Sequence, residues 1–254
     1  MDYIFNNNGI SIKASYRDDE INTIFIPLLE RLSEMHSQKG CRLIVMLAAP
    51  PGAGKSTLSG FLEHLAAEVI PGIKVQAIGM DGFHRRQEYL TSHTTNVNGK
   101  KVLMVDIKGA PVTFDIEKLK DKLAEIASGS NCGWPVYNRL LHNPVDDAVF
   151  VDGDIIIIEG NYLLLKEDGW KELSDMADYT ISIKADPDML RERLIERKIS
   201  TGSSEDKAVA FVEFSDMKNV MLCLENTKPA DLELILSKDS GYKKLYAKEI
   251  ICKR

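Results

Sequence analysis

The chain has 254 residues, of which 44% are hydrophobic and 28% are charged, and its formal net charge is −6. This length suits one large domain with a sizeable core, and the acidic balance argues against a nucleic-acid-binding protein. No apolar run approaches the ~20 residues of a membrane span, and the first residues lack the basic and apolar regions of a secretion signal. We therefore expect a cytoplasmic protein with free thiols and no zinc site, because its cysteines are widely spaced. These are Cys41, Cys132, Cys223 and Cys252.

The predicted elements alternate between helices and strands. Apolar spacing predicts a helix over 17–39, interrupted at Pro27 and closed by Gly40. Further helices are predicted at 55–69, at 115–127 and from Pro187, and strands at 43–49, 73–80, 102–105, 155–158, 179–184 and 232–236. This alternation predicts one α/β domain over 1–254, with a mostly parallel sheet and helices on both faces. The polar segment 84–112 is long for a connection, and we expect it to form an insertion on the acceptor side of a site.

The most informative motif follows the first buried strand, where residues 50–57 read P-P-G-A-G-K-S-T. It matches the phosphate-binding pattern G-x-x-x-x-G-K-[ST] except at the first glycine, where Ala49 fits if its φ is negative. Backbone N–H groups and the following helix N-terminus would cradle phosphates. Lys55 would reach the outer phosphates, and Ser56 would offer its hydroxyl to Mg²⁺. We predict MgATP as the ligand, bound by Pro51, Gly52, Ala53, Gly54, Lys55, Ser56 and Thr57.

Two carboxylates follow predicted strands. Asp81 follows the strand 73–80, and Glu159 follows a run of four isoleucines. In open parallel sheets, ligands bind beyond the carboxyl ends of the strands. We predict that Asp81 is the base that accepts a hydroxyl proton, and that Glu159 joins Ser56 at the metal. The structural alternatives are an Asp-Gly turn and a strand-end cap.

A late helix concentrates arginine within the segment 187–205, which we predict to act as a lid. Arg193 and Arg197 are four residues apart and share one face. Arg197 would neutralise transition-state charge, and Arg193 would contact the nucleotide. The alternative is a solvated face, because Glu192 and Glu196 are interleaved with the arginines.

Several ordered motifs resemble those of P-loop kinases in the phosphoribulokinase/uridine kinase superfamily, including its pantothenate kinase-like group. They are M-D-G-F at 80–83, K-G-A-P-V-T-F-D at 108–115, P-V-Y-N at 135–138, E-G-N-Y-L-L at 159–164 and I-E-R at 195–197. The resemblance implies a three-layer P-loop NTPase fold, Asp81 as the base, an acceptor segment around Tyr137, and Arg197 as a lid arginine at the phosphates. The E-G-N-Y-L-L form is most similar to a branch of sugar- or nucleoside-kinase-like proteins without one settled substrate.

The resulting expectation is an ATP-dependent kinase that phosphorylates a hydroxyl of a sugar, nucleoside or pantothenate-like alcohol. Acceptor contacts are expected from His84, Arg86, Tyr137 and Tyr162. One alternative is a GTPase-like switch, suggested by D-x-x-G at 106–109, although no N-K-x-D follows at the right spacing. Another is a regulatory nucleotide-binding protein on the same fold. The edge at 100–105 would let two copies pair as a homodimer.

Overall fold

The structure is a computed structural model that describes residues 1–7, 10–97 and 99–245. Cys41, Cys132 and Cys223 are free thiols. Cys252 and Asn98, the latter in a turn predicted from the sequence, lie outside the described residues. No helix in the described ranges is long and apolar enough to cross a membrane.

The bounds of the regular elements follow in chain order. The strands are β1 (Asp2–Asn7), β2 (Ile10–Ser15), β3 (Leu43–Ala48), β4 (Val75–Gly79), β5 (Thr94–Val97), β6 (Lys100–Leu103), β7 (Cys132–Asn138), β8 (Asn143–Val151), β9 (Ile155–Gly160), β10 (Tyr179–Ala185), β11 (Leu232–Leu236) and β12 (Tyr242–Lys244). The α-helices are α1 (Asp18–Glu20), α2 (Ile26–Lys39), α3 (Lys55–Val69), α4 (Gln87–Ser92), α5 (Ile116–Ala127), α6 (Pro187–Ser200), α7 (Glu205–Phe211) and α8 (Met217–Asn226).

The central sheet has the strand order β12-β11-β10-β3-β9-β4, and its strands are parallel except for β12. Every residue of β3 and β9 is buried, as expected for strands that are covered on both faces. Alternate residues of β3 face opposite layers. Val45 packs in one core with Leu58 of α3, and Met46 packs in the other with Leu119 of α5. The predicted α/β architecture with three layers is therefore confirmed.

Chain order places a crevice at the carboxyl end of β3. The connection from β3 through α3 leads to β4, toward one edge of the sheet. The connection from β9 leads to β10, on the other side of β3 and toward the opposite edge. Ligands of open α/β sheets bind where the connections diverge in this way. The loop between β3 and α3 lies at this point.

Several local predictions need adjustment. The helix predicted over 17–39 is present, and its interruption is a π-helical turn, Ile21–Phe25, just before Pro27. The strand predicted at 73–80 ends at Gly79, and a 3₁₀ turn, Met80–Phe83, follows. In the segment 84–112, β5 and β6 form a hairpin with each other. Pairing of that edge with a second copy therefore stays a prediction.

Two further hairpins were not anticipated from the sequence. Strands β1 and β2 pair with each other and pack on α3, where a Cβ at Gly60 would lie 2.8 Å from the Phe5 ring. Strands β7 and β8 pair outside the central sheet and pack against the turn Met80–Phe83. Both hairpins flank the carboxyl ends of the central strands, and they supply walls to the site described below.

Arg42, at the start of β3, is a buried cation that ties three connections together. Its guanidinium donates hydrogen bonds to backbone and amide oxygens at the end of α5 and before β9. The acceptors are the carbonyls of Gly153, Ile126 and Ser130 and the side-chain Oδ1 of Asn131, at 2.5–3.3 Å. The Gly153 carbonyl is buried and depends on Arg42 for its hydrogen bond. Ser130 and Asn131 are exposed, and the Ile126 carbonyl also accepts from the Gly129 N–H.

Replacing Arg42 with alanine removes four hydrogen bonds and leaves the buried Gly153 carbonyl unpaired, so we expect the free energy of unfolding to fall by about 2 kcal/mol. Arg31→Ala is the control, because Arg31 is 56% exposed and makes one ion pair at 3.6 Å with Glu34. That change should cost less than about 0.5 kcal/mol. Urea denaturation of both variants provides the measurement. Equal midpoints for the two variants would show that Arg42 does not anchor these connections.

Candidate functional site

The phosphate-loop motif forms a tight turn at the start of α3. Gly52 and Gly54 adopt φ values of 83° and 75°, which are left-handed conformations that L side chains rarely adopt. Lys55 is the first residue of α3. Ala49, at the position of the missing glycine, is buried and does not have a positive φ. Alanine therefore suits this position, because the backbone there does not need the positive φ that favours glycine.

Glu159 and Ser56 meet beside this loop. Strand register places Glu159 level with Leu47 of β3 and with Gly79 of β4, so its side chain emerges between the two strand ends. The Ser56 hydroxyl donates a hydrogen bond to Glu159 Oε1 at 2.5 Å. Burial raises the pKa of Glu159, partly offset by the positive charge of Lys55 and the Ser56 hydrogen bond. The structure thus brings the two predicted metal ligands into direct contact.

Asp81 lies on the turn that follows β4. Burial alone would raise the pKa of its carboxyl, but nearby positive groups outweigh that effect and hold the pKa below its usual value. These groups are His84, Lys55, Arg139 and Arg197. Asp81 is therefore ionised at neutral pH, whereas the pKa of Glu159, which interacts with the same lysine, is shifted upward.

The Ser56–Glu159 pair suits Mg²⁺, which needs few protein ligands, better than it suits a metal ion whose ligands all come from the protein. In the described part of the chain, no group of three or more His, Cys, Asp or Glu side chains could hold a metal ion. Mg²⁺ is usually held by one or two protein oxygens and completes its shell with water and phosphate oxygens. A hydroxyl and a carboxylate in contact at the start of α3 meet that requirement.

Helix α6 covers the loop from the other side. A Cβ placed on Gly52 would lie 3.2 Å from Leu194 Cγ, so the helix and the loop are in close contact. Arg193 donates a hydrogen bond to Ser240 Oγ at 2.7 Å, in the turn that precedes β12. Arg197 is exposed and interacts electrostatically with Asp81 and Asp216. Both arginines thus lie on the loop side of the site, and their contact with phosphates remains a prediction.

A cleft of about 650 Å³, including its opening to solvent, extends from Ser56, Glu159 and Asp81 away from the loop. Its other walls come from α3, β4 and the two hairpins. They include Phe5, Ser59, Glu63, Gly82, Val136, Tyr137 and Arg139. Tyr137 was predicted at the acceptor side and lines this cleft. Phe5 and Arg139 were not predicted, and the only sequence signal for Arg139 was its place two residues after Tyr137.

Two of the predicted acceptor residues lie just outside this cleft. His84 Nδ1 donates to the backbone oxygen of Asp81 at 2.9 Å, and its ring packs on Phe114 with centroids 3.9 Å apart. Burial lowers the pKa of His84, and the nearby Asp81 carboxylate offsets part of that effect. Arg86 is exposed, forms an ion pair with Asp146 at 2.7 Å, and lines a separate depression together with His84.

Tyr162 is not at the acceptor cleft, which corrects the expectation from the sequence. Its side chain is fully buried, and its hydroxyl donates to the Gly109 carbonyl at 2.6 Å. The ring packs edge-to-face against Phe114 and Trp170. Its role in this structure is to fix the segment around Gly109 to the core.

The model of the phosphoribulokinase / uridine kinase family matches residues 44–234, which is three quarters of the chain. The chain belongs to this family. The match begins in β3 and ends in β11, so it includes the phosphate loop, both carboxylates and α6. Family membership and the parallel sheet together assign the P-loop NTPase fold and support a phosphotransferase.

Individual relatives agree with this assignment. The chain is 39% identical to the uncharacterized protein YggC of Escherichia coli (strain K12) over 236 residues, 92% of this chain and 95% of that protein. It is 26% identical to a pantothenate kinase of Lactococcus lactis subsp. lactis (strain IL1403), over 70% of this chain and 61% of that protein. Among solved structures, a "putative fructose transport system kinase" from Silicibacter sp. TM1040 superposes with a TM-score of 0.74. It is 29% identical, and the match covers 83% of this chain and 98% of that one.

Gly82 lets β7 approach the turn that carries Asp81. A Cβ at Gly82 would lie 1.9 Å from the Pro135 carbonyl oxygen, so Gly82→Ala must push β7 from the turn. We expect it to lower the free energy of unfolding by about 2 kcal/mol. Gly79→Ala is the control, because its Cβ would meet only the Glu159 side chain, at 3.1 Å. Thermal unfolding of the two variants tests this, and a smaller loss for Gly82→Ala would contradict the packing argument.

Proposed function

We propose that the protein is a kinase that transfers the γ-phosphoryl group of MgATP to a hydroxyl of a small metabolite. The observation that carries the proposal is the position of Asp81. Its carboxylate is ionised and lies where the cleft meets the Ser56–Glu159 pair at the phosphate loop. A base that is placed between a phosphate-binding loop and an open cleft suits transfer to an alcohol.

In the proposed reaction, the acceptor hydroxyl lies against Asp81. As its oxygen attacks the γ-phosphorus, the proton passes to the Asp81 carboxylate, the bond to the bridging oxygen breaks, and ADP leaves. Lys55 and Arg197 stabilise the negative charge on the transferring group. Mg²⁺, held by Ser56 and Glu159, would neutralise charge on the phosphate oxygens. The hairpin carrying Tyr137 closes the acceptor side.

The residues that suggested a GTPase-like switch do not line the cleft beside the phosphate loop. Asp106, of the D-x-x-G match, is exposed in the 3₁₀ turn Met104–Ile107 and does not line the cleft. Asp231, at the end of the incomplete guanine motif, accepts hydrogen bonds from the backbone and hydroxyl of Thr180 at 2.7–2.8 Å. Calorimetry with ATP and GTP tests this alternative. Tight GTP binding without ATP binding would refute the ATP-dependent kinase.

Asp81→Asn should remove the proton acceptor and leave the fold and the nucleotide site intact. We expect phosphoryl transfer to fall by about 10²- to 10⁴-fold while the Kd for ATP changes little. The measurement is ADP release across a panel of sugars, nucleosides and hydroxy acids, with ATP binding followed separately by calorimetry.

Asp146→Asn is the matched control, because Asp146 is also a carboxylate that pairs with cations but lies outside the cleft. Its transfer rate should equal that of the wild type. Undiminished transfer by Asp81→Asn would remove Asp81 as the base. Absence of transfer by the wild type to every alcohol, with ATP bound, would instead favour a regulatory nucleotide-binding protein.

A further inference from the structure

Arg139 is the single cationic side chain among the described residues that line the cleft. The carboxylates there are Asp81, Glu159 and Glu63. Arg139 interacts electrostatically with Asp81 and Glu159, but it makes no hydrogen bond or ion pair with any residue that the structure describes. Its guanidinium donors therefore remain available to a ligand in the cleft.

Three other cations near the hairpin differ from Arg139 because each already has a partner. Arg86 pairs with Asp146 at 2.7 Å, and Arg85 lies 3.7 Å from Asp115. Lys108 donates to Gln87 Oε1 at 2.8 Å and to the His142 carbonyl at 3.0 Å.

The tip of the β7–β8 hairpin holds the backbone of Arg139 in one place. Asn138 Oδ1 accepts from the backbone N–H groups of Leu140 and Leu141 at 2.9 and 3.0 Å. The tip is also bonded to the segment 84–112, through the Lys108–His142 contact and through the Gln87 N–H to Asn143 Oδ1 at 2.7 Å. An arginine on a turn fixed at these points is preorganised, which reduces the entropy lost when it binds.

Arg139 belongs to a different element from the cations of the donor side, although it is near enough to Arg197 to interact with it electrostatically. Lys55 belongs to the phosphate loop, and Arg193 and Arg197 belong to α6, which packs on that loop. Arg139 comes from the β7–β8 hairpin and lines the cleft together with Tyr137, whereas Arg193, Arg197 and Lys55 are not among the residues lining it. This placement favours pairing of Arg139 with a group on the acceptor.

The geometry points to an acceptor that is a small alcohol carrying an anionic group, a carboxylate or a phosphate, which Arg139 binds while the hydroxyl lies at Asp81. This inference rests on the proposed function, and it narrows the substrate class. The guanidinium fork matches either anion with two parallel hydrogen bonds. A neutral sugar or nucleoside would leave the guanidinium unpaired as the acceptor displaces water from the cleft, which costs affinity.

The test compares the wild type with Arg139→Gln and Arg139→Lys, and Arg86→Gln serves as the control. Binding is measured by thermal shift and calorimetry in the presence of an unreactive ATP analogue, and turnover by steady-state kinetics. The acceptor panel has three arms: sugar acids, sugar monophosphates, and neutral sugars with nucleosides. The first two arms distinguish a carboxylate from a phosphate.

We expect only anionic alcohols to stabilise the wild type. Arg139→Gln should raise their Kd and KM by about 10- to 100-fold, with kcat and the KM for ATP little changed. Arg139→Lys should be intermediate, because it keeps the charge and loses the fork, and Arg86→Gln should behave as the wild type. The binding measurements test the role of Arg139 even if no alcohol is phosphorylated. The proposed kinase activity and the proposed anionic acceptor can therefore fail separately.

Three results would overturn the inference. In the first, neutral alcohols bind or react as well as anionic ones. In the second, no anionic alcohol binds to the wild type. In the third, Arg139→Gln lowers kcat for every acceptor and leaves acceptor KM unchanged, which would assign Arg139 to the transferring phosphoryl group.

Discussion

The register of three parallel strands fixes the position of Glu159 in the site. Glu159 lies level with Leu47 near the end of β3 and with Gly79, the last residue of β4, so its buried side chain lies between the phosphate loop and the turn that carries Asp81. A slip of one residue in β9 would turn Glu159 to the opposite face of the sheet. The four isoleucines that precede Glu159 resist such a slip, because they are fully buried and alternate between two cores.

The two carboxylates of the site differ because their surroundings differ. The charges of Lys55, Arg139, Arg197 and His84 lower the pKa of Asp81. Glu159 is buried in the sheet, its pKa is raised, and its main polar contact is the Ser56 hydroxyl. A fold that sets two acids to opposite protonation tendencies gives each a separate task. In the proposed reaction, this difference lets Asp81 act as the base while Glu159 would serve the metal.

Much of the donor half could be predicted from the sequence, because its signals are local. The loop glycines, the isoleucine strand and the Asp-Gly turn each have their meaning within about ten residues. The acceptor half depends on contacts between distant segments. Pro135 and Pro144 obscure the strand pattern of β7 and β8, since proline is unusual in strands. Nothing beside Tyr162 reveals that its hydroxyl meets Gly109, 53 residues earlier.

The β7–β8 hairpin is a two-stranded sheet of its own that contacts the central domain mainly through the turn at Gly82. Its tip can therefore change in sequence without disturbing β3 and β9, which hold the phosphate loop and Glu159. Under the proposed function, such changes would alter the choice of acceptor and leave the nucleotide side as it is.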